Sequence, residues 1–268
     1  MTQQEFFSEI TSDAVTAEEK IIRILEARGF LIEEEGGAYY LSDNAAEDDL
    51  SYLSEGFDKY SLGNVEPVAK NGLPAQIRIS PDAQPDDAIA FFLEQTYISF
   101  PVGFFDKPWK MLIRHEFGSK VDVRNLEPFV ARYVKAVSAC GVDTSFSCDG
   151  NHPAGKRLIQ IKAHSPFDIW HGLVVKHIVF PRFGIDPANK DGVPFNPNNQ
   201  FMLYLTLNRA AEYLYQHRKE IREIKKNACS VFTASMMKHL DDSESEKLFV
   251  ENIEHEFAKR PELTGGRK

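Results

Sequence analysis

The chain reads as an α+β protein. A split βαβ (ferredoxin-like) antiparallel sheet domain with a helical C-terminus is preceded by an N-terminal helix-hairpin region. Three observations predict this. Leu126, Phe129, Val130, Tyr133, Val134 and Val137 recur at helical spacing between two strand-like runs, 109–117 and 142–146. After a polar turn come a further strand over 158–163, a helical stretch over 166–175, and an alternating run of Phe201, Leu203, Leu205 and Leu207. Near the start, a capped helix leads into two short β-like segments around Gly36-Gly37.

Thr16 caps the first helix, Glu19 completes a capping box, and Gly29 ends it; Ile21, Ile22, Ile24 and Leu25 form its apolar side. Residues 43–74 are acidic, then punctuated by Gly, Asn and Pro, and read as an internal boundary or a long surface excursion. A short strand over 76–79 precedes a helix from Ala88, capped by Asp86 or Asp87. Asn125 opens the strong helix and Gly141 closes it. A long helix is expected over 208–227, then two more toward 258. The expected division is 1–100 as the N-terminal region, 101–260 as the sheet domain with its C-terminal helices, and 261–268 as a flexible tail.

Composition narrows the function classes. A length of 268 residues, 43% hydrophobic and 26% charged, suits a globular protein with a sizeable core, and 20 Phe make that core aromatic. The net charge of −9 argues against a nucleic-acid coat, and the Glu33-Glu34-Glu35 run would repel phosphates. Three widely spaced cysteines argue against a disulfide framework and for a reducing, cytoplasmic setting. The polar, acidic start shows no secretory signal, and no apolar run is long enough to span a membrane.

The chemistry concentrates in one turn. Residues 148–157 place a thiol (Cys148), a carboxylate (Asp149), an imidazole (His152) and two cations (Lys156, Arg157) between two apolar runs. Gly150 to Lys156 nearly matches a P-loop. Arg157, however, replaces the hydroxyl residue that would hold Mg²⁺, and a strand follows where a P-loop needs a helix. Cys148 and His152 are good zinc ligands, and a ferredoxin-like sheet would bring His115 from the neighbouring strand as a third. Glu116 or Asp149 would then serve as general base, with Lys156 and Arg157 clamping an anion.

The leading expectation is metal-assisted hydrolysis of a small anionic substrate, with zinc as the metal. A variant makes Cys148 the nucleophile, with His152, His115 or His164 as its base. The plainer alternative is a solvated hairpin with Cys148 tucked in and His152 facing water. Two further readings compete: a non-catalytic ligand-binding or protein-interaction module, and nucleic-acid processing through Lys156, Arg157 and the basic segment near Arg218. The alternation of Glu220 and Glu223 with those cations fits solvated pairing on a helix surface better.

Overall fold

The computed structural model describes residues 1–70, 73–94, 106–114, 118–150, 157–233, 236 and 239–265. The chain is mixed α+β with two antiparallel sheets and divides into two compact units. The first comprises Met1–Phe100, Lys120–Lys135 and Phe195–Asn208; the second comprises Pro101–Ser119, Ala136–Pro194 and Arg209–Lys268.

The first unit opens with helix α1 (Gln3–Ile10) and helix α2 (Ala17–Arg28). The Thr16–Glu19 capping box starts α2, and Gly29 ends it in the left-handed region at φ 110°. A Cβ at Gly29 would lie 2.9 Å from that of Ala131, so this position needs glycine for its conformation and for its close approach. Strands β1 (Ile32–Glu35) and β2 (Ala38–Leu41) pair antiparallel, Glu35 opposite Ala38, with Gly36 and Gly37 both at positive φ between them.

The acidic stretch after Leu41 is not an excursion. It forms helix α3 (Glu47–Tyr60) and strand β3 (Gly63–Lys70), which pairs with β4 (Leu73–Ile79). Tyr52, Leu53, Gly56 and Phe57 give α3 a buried side that its acidic first turn obscures in the sequence. Gly56 looks like punctuation but packs under Phe91, whose ring atoms lie 2.3 Å from where a Cβ would be. The sheet order is β1-β2-β4-β3. Helix α4 spans Pro85–Leu93; Gln84 holds its cap position, and Asp86 and Asp87 sit in its first turn. The phenylalanines form the core. Phe6 meets Phe7 and Phe129 edge to face, Phe92 meets Phe7 and Phe129 likewise, and Phe129 stacks on Tyr204 at 4.4 Å.

Further along lie α5 (Trp109–Arg114), α6 (Pro128–Ala139), β5 (Thr144–Cys148), β6 (Leu158–Ala163) and α7 (Phe167–Val174). A π-helical turn, Val175–Val179, leads into α8 (Phe180–Phe183). Then come the two-residue strand β7 (Val193–Pro194), α9 (Gln200–Gln216), α10 (Arg218–Cys229) and α11 (Asp242–Ala258). The second sheet has the order β5-β6-β7.

The first and last strands expected of the ferredoxin-like sheet are helical where described. In 109–117, residues 109–114 form α5, which buries Trp109 and Leu112 three residues apart; 115–117 lie outside the described residues. In 201–207, Phe201, Leu203, Leu205 and Leu207 alternate, but Met202 and Tyr204 between them are also apolar. Such a run supports either period. The buried set Tyr204, Leu207, Ala211 and Leu214 has helical spacing, and the helix formers continue past 207. The expected long helix over 208–227 is therefore split between α9 and α10, with the break at His217.

The basic segment also departs from expectation. Lys225 is 2% exposed and donates to the carbonyl of Gly141 at 2.9 Å; Arg222 donates to that of Ala139 at 2.8 Å. With Trp170 Nε1 on the Cys140 carbonyl, these donors satisfy the carbonyls left open at the end of α6, where the helix dipole favours cations.

Candidate functional site

β5 and β6 flank the 148–157 segment and pair with Cys148 opposite Gln160 and Thr144 opposite Ala163. Cys148 is the last residue of β5 and is half-buried. Gly150 follows in the left-handed region at φ 76°, and this bend turns its main-chain N–H onto Cys148 Sγ at 3.3 Å. The thiolate is the form of a cysteine that attacks electrophiles and binds metals. Asp149, between them, is only 4% exposed. That is unusual for a carboxylate at the end of a strand pair, where water is close by. Arg157, just before β6, is exposed.

His115, Glu116, His152 and Lys156 lie outside the described residues. Of the candidate set the structure describes Cys148 and Asp149, consecutive at the end of β5, and Arg157, just before β6. Among the described residues, no group of three His, Cys, Asp or Glu side chains is placed to share a metal ion.

His164 does not belong with this turn. It follows β6 at the opposite end of the strand pair, where its N–H donates to the Asp143 carbonyl at 3.0 Å. At roughly 3.3 Å per residue, Cys148 is on the order of 13 Å away along the strands. A direct proton transfer between His164 and Cys148 is ruled out by that separation.

The other thiols are sealed. Cys140 and Cys229 are buried, and burial raises their pKa to about 12 and about 11. Of the three, Cys148 has the most accessible setting. His171 is 1% exposed, and burial lowers its pKa to about 4, so it is neutral at pH 7. His177 stacks on Phe257 at 4.5 Å with Nε2 2.9 Å from Glu254.

Two polar clusters carry no local signature in the sequence. In the second unit, Asp143 takes the Ser119 hydroxyl at 2.6 Å and the Lys107 ammonium, which also lies 5.9 Å from the centre of the Phe167 ring. Asp143 and His164 face each other across the strand pair, so their side chains share one face of the sheet. In the first unit, Asp49 accepts from Ala46 N–H and Val123 N–H, both at 2.8 Å, and from the Lys135 ammonium. Arg28, fully buried beside it, donates to the Val123 carbonyl at 3.2 Å. Burial pulls the Lys135 and Arg28 pKa values below their usual range. The partners in these clusters lie far apart along the chain, so no short motif announces them.

Comparison with protein-family models, with curated proteins and with solved structures finds no match to this chain.

Proposed function

We propose that the 148–157 turn is a working site for metal-assisted hydrolysis of a small anionic substrate. Cys148, His152 and His115 would hold zinc. Asp149 or Glu116 would act as general base, and Lys156 and Arg157 would bind the anion. One observation carries this reading. At the tip of β5, a buried carboxylate adjoins a half-buried thiol whose sulfur accepts a backbone N–H. Loops held by a rigid scaffold are where binding and catalytic groups concentrate.

The test is metal content on freshly purified protein, followed by zinc titration of chelator-treated samples. Near-stoichiometric zinc that is lost in Cys148→Ser and retained in Arg157→Ala supports the assignment. Arg157→Ala should instead raise KM for an anionic ester or phosphate substrate by roughly tenfold, the loss of one charge-assisted contact. Protein that takes up no zinc, or the same amount in Cys148→Ser, removes the hydrolase reading.

A further inference from the structure

A cleft of about 350 Å³ opens in the first unit between α2 and the β1–β2 pair. Its floor is apolar, with Ile22 and Ile32 4% and 7% exposed, and Val15 stands at its rim 88% exposed. Carboxylates surround it: Asp13, Glu19, Glu26 and Glu34. The cation on its wall is Arg23, which pairs with Asp13 at 3.0 Å and Glu26 at 3.1 Å. Arg132 also reaches Glu26 at 3.4 Å, and Glu19 accepts the N–H groups of Val15 and Thr16, so these carboxylates already meet donors of their own chain while Glu34 adds a further negative charge beside β1.

An open strand edge lies beside it. β1 ends the sheet order and pairs only with β2 among the described residues. Ser42 N–H bonds to the Leu31 carbonyl, so in this register the hydrogen-bonded pairs are 31 with 42, 33 with 40 and 35 with 38. The main-chain N–H and C=O groups of Ile32 and Glu34 therefore point away from β2, and the side chains of these same residues line the cleft. A strand added along β1 would place every second side chain over the cleft, toward Glu34 and Glu19.

We propose that this cleft and the β1 edge bind an extended, Lys/Arg-bearing segment of another protein by strand addition. Two features select that occupant: main-chain groups directed away from β2 ask for an extended backbone, and the carboxylate rim asks for alternate basic side chains. A second copy of this chain, at net charge −9, is a poor match. The proposal is independent of the 148–157 turn.

Fluorescence anisotropy with labelled alternating Lys-Val and Glu-Val peptides tests it on the full chain. The Lys-Val peptide should bind, more weakly as salt rises. Glu34→Arg, at an exposed position, should leave the melting temperature unchanged and weaken binding by about tenfold or more. Methylating alternate backbone amides on the bonding edge of the peptide should abolish binding, while methylating the other edge should leave it intact. Equal binding of the Glu-Val peptide, indifference to Glu34→Arg or to amide methylation, or equal competition by a free polyamine would each overturn the proposal. So would concentration-dependent self-association that Glu34→Arg abolishes, because it would give the edge to a second copy.

Discussion

Two aspartate–lysine pairs among the described residues have opposite settings. Asp49 and Lys135 are 0% and 1% exposed, and their hydrogen bonds lead inward, to Ala46, Val121 and Val123. Asp49 also completes the capping of α3. Asp143 and Lys107 are 8% and 23% exposed, and the second oxygen of Asp143 holds the hydroxyl of Ser119. The residue pair is the same; the difference is solvent. A sealed pair must be completely satisfied, because each charge left over pays a large desolvation cost. A pair that still meets water tolerates partial satisfaction and contributes less, but its groups stay within reach of a ligand.

The largest break in this comparison is Asp49→Ala. It strands Lys135 without a counter-charge and removes the acceptor of two buried N–H groups, so stability should fall by about 3–5 kcal/mol in urea unfolding. Lys135→Met, which leaves Asp49 its two backbone donors, should cost clearly less. Equal losses would mean that the ion pair rather than the capping network dominates.

Next in size is burial of a titratable group whose shift comes from desolvation alone. His171 takes up a proton below about pH 6.5 when unfolded, but only below about pH 4 when native. The unfolded state therefore binds more protons in that interval. The contribution of His171 is fully present above pH 6.5 and is lost as pH falls toward 4, by about 3 kcal/mol in all. His171→Gln should flatten the acid limb of the stability curve between those limits; an unchanged limb would contradict the burial argument.

The smallest effects belong to the open pair. Lys107→Met should cost about 1–3 kcal/mol, since Asp143 is nearly buried but keeps the Ser119 hydroxyl as a donor. Ser119→Ala should cost about 0.5–1.5 kcal/mol through one lost hydrogen bond. Losses as large as that of Asp49→Ala would show that the two pairs are equally sealed and would erase the distinction.

Local features were legible without coordinates. The Thr16–Glu19 capping box, the left-handed Gly29, the chain reversal at Gly36-Gly37 and the pairing of 144–148 with 158–163 are each written in residues close together in sequence. The helix expected from Asn125 is present from Pro128, while Asn125 itself ends a short 3-10 turn, Val123–Asn125. Two segments were misread for one reason. Trp109–Arg114 and Phe201–Leu207 are apolar at both strand and helix periods, so only their packing partners choose between them. Helix α3 was missed because its charged first turn conceals Tyr52, Leu53 and Phe57.

The amino-acid order alone therefore determined the α+β character, the Thr16 cap, the glycine turns and the nearness of Cys148, Asp149 and Arg157 along the chain. Tertiary structure decided which charges are sealed. Lys225 reads as a surface cation yet closes the end of α6 from 84 residues away, and Asp49 reads as an ordinary acid yet meets Lys135 across 86. Turns and caps are contests among neighbouring groups, whereas desolvation depends on everything that folds over a side chain, and no stretch of sequence contains that.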